Sequence, residues 1–241
     1  MIPAVILAGG LGTRIRAVAG NLPKPMIEVG GRPFIEYVLD TLVDAHVPSI
    51  HLAVSYRSDF IQSHLGHVYR GTCLSYSVEP QPLGTGGAIL KCLREHNLPR
   101  ALVLNGDTLF RIDLGTMLAA HVDADSQITL ALCHVPDASR YGTVVCDSHN
   151  HVVTFDEKDA QQKGGLINGG VYIVERSALE SVVLPDCFSF ERDFLQLNVD
   201  MLHPLGVVSD GYFIDIGIPE DLERARRGLT TEMPRPTCVS Q

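Results

Sequence analysis

Ile2-Pro3-Ala4-Val5-Ile6-Leu7-Ala8-Gly9-Gly10-Leu11-Gly12-Thr13-Arg14, near the start of the chain, is the stretch whose reading decides the fold. The apolar run from Ile2 to Leu7 has the continuous hydrophobicity of a strand buried on both faces, the habit of parallel sheets covered by helices. It breaks into a glycine-rich turn that ends in a cation, and ten residues after Arg14 comes Lys24, set between Pro23 and Pro25. Glycine reaches φ > 0 at little cost and lets backbone N–H groups approach a phosphate chain closely. Arg14 and Lys24 add full positive charges that phosphate oxygens can use. The stretch points to phosphate-handling chemistry at the mouth of an α/β sheet. The plainer alternative is a glycine turn beside two surface cations.

Two common phosphate loops do not fit. The P-loop needs Gly-Lys-Ser/Thr after a four-residue gap, and the chain has none. The dinucleotide fingerprint begins at Gly10-Leu11-Gly12 but meets Ile15 where its third glycine belongs.

Working outward, 241 residues at 45% hydrophobic content suffice for one good-sized core. A formal charge of −9, from 19 basic and 28 acidic residues, argues against a nucleic-acid or anionic-membrane surface. A phosphorylated substrate must then be met by a few placed cations. The cysteines at 73, 92, 133, 146, 187 and 238 show no C-x-x-C spacing and read as reduced, packed thiols. No apolar run approaches a membrane span, and Met1 to Gly10 lacks a basic start and a cleavage site. A cytoplasmic protein is expected, as a monomer or a homodimer.

Apolar runs alternate with helix-period segments, the pattern of a mostly parallel sheet flanked by helices. Strands are expected at Ala4–Ala8, Ile50–Val54, Leu74–Val78, Ala101–Leu104 and Gln127–Cys133, and helices at Phe34–Ala45 and Ala88–His96. From Tyr141 to Val174 short β segments follow, at Thr143–Cys146, Val152–Phe155 and Gly169–Val174, as a small β-rich portion continuous with the main sheet. Helices are expected near Phe190–Val199 and Pro219–Arg227, and a loose tail over Thr230–Gln241. The domain reading is a single unit over residues 1–229, its helix-flanked part at about 1–135 and its β-rich part at about 136–229.

Asn105-Gly106-Asp107 follows the run Ala101–Leu104, so Asp107 stands beyond the carboxyl end of a central strand, where α/β sheets bind ligands. Asp is a hard oxygen ligand suited to Mg2+, which takes one or two carboxylates plus phosphate oxygens; a solvated Asn-Gly-Asp turn is the alternative. Asp215, between Ile214 and Ile216, is the natural second carboxylate, since a buried acid there must be paired, hydrogen-bonded or metal-bound; on an edge strand it would simply face water. Asp113 and Asp193 have no comparable setting. Gly84, Gly86 and Gly87 open a helix and offer N–H groups and close approach to a nucleotide, together with Thr85. Glu79 is a candidate base reader: one carboxylate can accept both the N1–H and the 2-amino group of guanine, whereas a pyrimidine carbonyl would repel it. A solvated strand-end acid, or Gln81 in that role, is the alternative. The ten histidines form no metal pattern, and His64 and His67 read as surface residues.

The first loop, read as G-G-x-G-T-R followed by P-K-P, resembles the N-terminal signature of the sugar-1-phosphate nucleotidyltransferases. Further blocks resemble the same family in order: Pro82 to Ala88, Arg140-Tyr141-Gly142-Thr143, Glu157-Lys158, Ile167-Asn168-Gly169-Gly170, Phe188-Ser189-Phe190-Glu191, and Asp215-Ile216-Gly217-Ile218-Pro219-Glu220. The resemblance implies a Rossmann-like mixed, mostly parallel sheet flanked by helices, with a nucleotide-binding part at about 1–135 and a sugar-phosphate-binding part at about 136–229. It implies that Leu7, Gly9, Gly10, Gly12, Thr13, Glu79, Gly84 and Thr85 contact the nucleotide. Tyr141, Gly142, Glu157, Lys158, Asn168 and Gly169 would contact the sugar phosphate, and Asp107 and Asp215 would share Mg2+. Arg14, Lys24 and Lys158 would then manage phosphate charge, with Arg14 on the departing pyrophosphate. The blocks lie nearest to members that take GTP and D-glycero-D-manno-heptose 1-phosphate. Mannose 1-phosphate with GTP, N-acetylmuramate 1-phosphate with UTP, and a non-catalytic nucleotide-sugar sensor are the alternatives. No hexapeptide repeat is present, so the appended β-helix of some related enzymes is not expected.

Overall fold

A computed structural model of the chain describes residues 1–10, 15, 20–138, 141, 143–156 and 164–232. In chain order, β1 (Ala4–Leu7) leads through a 3-10 turn (Lys24–Met26) to the short pair β2 (Glu28–Val29) and β3 (Arg32–Pro33) and then to α1 (Phe34–Asp44). There follow β4 (Ile50–Val54), α2 (Ser58–Leu65), β5 (Val68–Tyr69), β6 (Thr72–Val78), α3 (Gly84–Glu95), β7 (Arg100–Asn105), β8 (Thr108–Phe110) and α4 (Leu114–Asp123). The second half holds β9 (Ile128–Val135), β10 (Thr143–Cys146), β11 (Val152–Asp156), β12 (Gly165–Glu175) and α5 (Arg176–Glu180). A π-helix (Phe190–Leu195), α6 (Val199–Leu202), β13 (Leu205–Ser209), β14 (Phe213–Asp215) and α7 (Pro219–Glu232) complete it.

Eight strands form one sheet in the order β13-β9-β12-β7-β1-β4-β6-β5. The first strand sits inside it, parallel to both β4 and β7. Alternate residues face opposite cores: Ala4 and Ile6 join one cluster and Val5 the other, and Leu102 and Leu104 part from Ala101 and Val103 in the same way. One face is covered by α1, α2, α4 and α7, the other by α3, α5 and the π-helix. α1 starts at Phe34 with no side-chain cap, because Pro33 fills the N-cap position. Burial of Phe34, Ile35, Leu39 and Leu42, at roughly 1.5–3 kcal/mol each, far outweighs a missing cap worth about 1 kcal/mol.

The architecture is the expected mixed, mostly parallel sheet, with instructive departures. β12 is antiparallel to both of its neighbours, β7 and β9, and is four residues longer at its start than the segment read from sequence. α3 begins at Gly84, so the glycines read as opening a helix form its first turn, ahead of the Ala88 start of the expected segment. The segment near Phe190–Val199 is a π-helix followed by the separate short α6. Three helices (α2, α4 and α5) and the edge strand β13 were not expected. α7 runs to Glu232, and residues 233–241 lie outside the described residues.

His51 on β4 is buried, its Nε2 3.0 Å from Ser49 Oγ and its Nδ1 2.6 Å from Ser75 Oγ. Burial pulls its pKa down to about 4, and His96 adds in the same direction. Unfolded, the ring protonates near pH ~6.5. The unfolded chain therefore binds the extra proton between these values, so stability is full above about pH 6.5 and drains away as pH falls through the folded pKa. A loss on the order of 1–3 kcal/mol is expected across that window. Urea unfolding at stepped pH should show this slope in the wild type and a shallower one in His51→Asn; equal slopes would remove His51 as its cause.

Candidate active site

β7 ends at Asn105 and turns through Gly106 and Asp107 into β8. The Gly106 N–H donates to Leu7 O at 2.9 Å, and a Cβ there would lie 2.8 Å from the same oxygen, so the turn needs glycine. β8 then pairs antiparallel with β14, with Asp215 opposite Thr108, and the Ile216 N–H donates to Asp107 O at 3.1 Å. This short ladder, rather than the main sheet, brings the two carboxylates together. Pro23 and Pro25 frame the 3-10 turn that carries Lys24 between them. Its Nζ lies 2.5 Å from Asp107 Oδ2 and 3.3 Å from Asp215 Oδ1.

The Lys24 side chain is only 12% exposed, and those of Asp107 and Asp215 are 32% and 27% exposed. Burial raises the pKa of Asp215, the Lys24 ammonium opposes that, and Asp107 adds to it. Asp215 Oδ1 also accepts from the Gly217 N–H at 2.6 Å. A Cβ on Gly217 would stand 2.9 Å from that oxygen and 3.2 Å from Lys24 Nζ. Two hard oxygen donors converging on one positive point fit a divalent cation such as Mg2+. Among the described residues no group of three or more His, Cys, Asp or Glu converges, so such a cation would draw its other ligands from phosphate and water.

Two cavities open on this junction. The smaller, of about 320 Å³, is lined by Leu7, Gly9, Gly10, Lys24, Glu79, Gly84, Thr85 and Asp107, with Pro25, Ala53, Pro82, Ala88 and Asn105. Glu79 is 8% exposed, which removes the solvated alternative, and burial raises its pKa against the opposing Leu83 N–H and Lys91. Its Oε2 accepts from the Leu83 N–H at 2.9 Å. The start of α3 is clamped from behind by Phe188, whose O accepts from the Gly86 N–H and whose N–H donates to Leu83 O, both at 3.0 Å. Gly12, Thr13 and Arg14 lie outside the described residues.

The larger cavity, of about 540 Å³, is lined by Tyr141, Asn168, Gly169 and Asp215 among others, and Asn105 lines both cavities. Its floor is β12, where the register with β9 slips between Asn168 and Tyr172. Such a bulge re-aims side chains. Here Asn168 Oδ1 accepts from the Gly170 N–H at 3.0 Å, and a Cβ on Gly170, at φ +71°, would lie 2.7 Å from Asn105 Nδ2. Tyr141 packs edge-on against Phe213, ring centres 5.7 Å apart. Gly142, Glu157 and Lys158 lie outside the described residues.

Reading the sequence assigned no role to Asn105, Thr108, Tyr172 or Glu191, which also line the larger cavity. The Phe188–Glu191 block was a usable signal for the last of these. The two acids set aside have structural work: Asp113 caps α4 through the N–H groups of Gly115 and Thr116, and Asp193 accepts from the Ser189 N–H and pairs with Arg192. His64 pairs with Glu36 at 3.1 Å.

Comparison with known proteins places the chain in a family. Residues 3–232 match the family model described as nucleotidyl transferase. The D-glycero-alpha-D-manno-heptose 1-phosphate guanylyltransferase of Aneurinibacillus thermoaerophilus is 41% identical, over 94% of this chain and 97% of its own. The protein of the same description from Campylobacter jejuni is 42% identical, over 90% of this chain and 96% of its own. The crystal structure of HddC from Yersinia pseudotuberculosis complexed with GMP-PN superposes with a TM-score of 0.83 at 36% identity, covering 95% of this chain and all of that one. A likeness that spans both cavities and nearly the whole of these relatives leaves no separate part to explain, and the chain belongs to the nucleotidyl transferase family.

Proposed function

We propose that this enzyme transfers GMP from GTP to D-glycero-D-manno-heptose 1-phosphate and releases pyrophosphate. The observation that carries the reading is the convergence of two cavities on Lys24, Asp107 and Asp215. The names of the two relatives above supply the substrates, and nucleotidyl transferases of this family generally use a divalent metal, here taken as Mg2+. The smaller cavity takes the nucleotide and the larger the sugar phosphate, within one domain over residues 1–229. The work is assigned to the cytoplasm, to a monomer or a homodimer; no described helix is long and apolar enough to cross a membrane, and the five described cysteines are free thiols.

The chemistry needs little from a base. A sugar phosphate has a second pKa of about 6 and is largely ionised at neutral pH, so its oxygen can attack the α-phosphorus directly. A new P–O bond forms as the bond to the β-phosphate bridge breaks, and the electron pair leaves with pyrophosphate. Two anions must be brought together, and the residues at the junction answer that need. Lys24 holds positive charge between the cavities, Asp107 and Asp215 would hold Mg2+, and Arg14 and Lys158 are assigned to pyrophosphate and sugar phosphate. Bound Mg2+ would supply charge neutralisation at the phosphoryl oxygens. Glu79 is assigned to the guanine edge, where a buried carboxylate accepting two N–H donors favours guanine over a pyrimidine.

The test is pyrophosphate release with Mg2+, crossing GTP, UTP, dTTP, CTP and ATP against heptose, mannose, glucose and N-acetylmuramate 1-phosphates. Fast turnover confined to GTP with the heptose is expected. Turnover confined to another pair would discard the substrate assignment, and silence from folded protein would favour a nucleotide-sugar sensor.

A further inference from the structure

The two cavities are walled by different parts of the chain, and one side chain ties the walls together. Glu191 stands in the π-helix, a rare widened turn that is frequent at functional sites. Its Oε2 accepts from Thr85 Oγ1 at 2.8 Å and from Ser189 Oγ at 3.1 Å, and its Oε1 accepts from the Tyr172 hydroxyl at 3.1 Å. Each outer hydroxyl is held in turn. Thr85 Oγ1 accepts from the Phe190 N–H, and the Tyr172 oxygen accepts from Asn168 Nδ2, both at 2.8 Å. All donors therefore point inward to one carboxylate, from Asn168 through Tyr172 on the larger cavity and from Thr85 on the smaller. Bonds to an ionised acceptor are roughly twice as strong as neutral ones, so the chain has a fixed polarity. Tyr172 is almost wholly buried and packs edge-on against Phe190, 5.1 Å between ring centres, which leaves this network little freedom to re-form elsewhere.

We infer that Glu191 is a positioning residue that couples the two pockets. A nucleotide seated against Thr85 at the start of α3 shifts that hydroxyl, and a network with no slack passes the shift through Glu191 to the Tyr172 hydroxyl and the Asn168 amide that line the larger cavity. Linkage makes the effect reciprocal: each substrate tightens the other by the same factor. The inference rests on the assignment of one substrate to each cavity given above.

Calorimetry with a non-hydrolysable GTP analogue tests it, with and without a saturating sugar 1-phosphate. The readout is the ratio of the two affinities. Wild type should give a ratio of about fivefold or more, the usual range of coupling between sites. Glu191→Gln keeps the volume and removes the charge; Tyr172→Phe removes one link and keeps the ring. Each should bring the ratio to within about twofold of unity, with a smaller change in affinity for the nucleotide alone. A merely structural role would lower both affinities together and leave the ratio standing. An unchanged ratio in the variants, or a ratio of one in the wild type, overturns the inference; should Glu191→Gln not fold, Tyr172→Phe decides alone. The sugar is whichever 1-phosphate the substrate matrix selects, so a wrong sugar appears in that matrix and a wrong role for Glu191 appears here.

Discussion

Asp107→Asn is expected to lower turnover by roughly 10³-fold or more, with the protein still folded. The change is isosteric and removes a full negative charge from the point where Lys24, Asp107 and Asp215 meet. Asparagine is an uncharged and weaker ligand for a divalent cation than aspartate, and with one carboxylate charge gone the neutralisation of the two phosphate groups fails. Stability should change by no more than about 1 kcal/mol, since a partly exposed ion pair contributes little. The backbone contacts that shape the turn, Gly106 N–H to Leu7 O and Ile216 N–H to Asp107 O, do not involve the side chain. Pyrophosphate release and a thermal melt on the same preparation check both halves. Substantial retained activity would end the metal assignment.

Gly84→Ala is expected to cost about 2–4 kcal/mol of stability and to raise KM for the nucleotide by roughly tenfold or more. Gly84 has φ +71°, and a Cβ there would stand 2.4 Å from Phe188 O and 2.8 Å from its carbonyl carbon. Neither obstacle is a flexible side-chain end. The backbone of Phe188 is itself pinned to Leu83 and Gly86, so relief requires α3 to move away from the smaller cavity. Thr85 moves with it. Denaturant titration measures the first effect and initial rates at varied GTP the second; a variant with wild-type KM would show that the start of α3 does not bound the nucleotide.

The positions of strands were legible wherever an apolar run was long enough. Ala4–Leu7, Ile50–Val54 and Arg100–Asn105 are buried on both faces and say so in their composition. α2 and β13 escaped because Ser58–Leu65 is short and polar and Leu205–Ser209 is interrupted by Gly206. The antiparallel setting of β12 is invisible in a run of Val, Ile and Tyr, since either direction buries the same side chains. The meeting of Asp107 with Asp215 depends on a ladder of three residues per strand, too short for periodicity to announce. Asp215 could be read as paired, hydrogen-bonded, metal-bound or solvated, and a lysine from a third segment removes the last of these. Glu191 illustrates the remaining limit: Ser-Phe-Glu reads as an ordinary helix start, and its meaning lies in Thr85 and Tyr172, far away in sequence.

The central claim is direct transfer of a nucleotidyl group between two substrates at one junction. GTP labelled at the α-phosphorus, incubated with the enzyme, Mg2+ and the sugar 1-phosphate, tests it most directly. The label should pass into the nucleotide-sugar in step with pyrophosphate, and with the sugar 1-phosphate omitted neither pyrophosphate nor labelled protein should appear. Label retained on the protein, or pyrophosphate released without the sugar, would contradict the account.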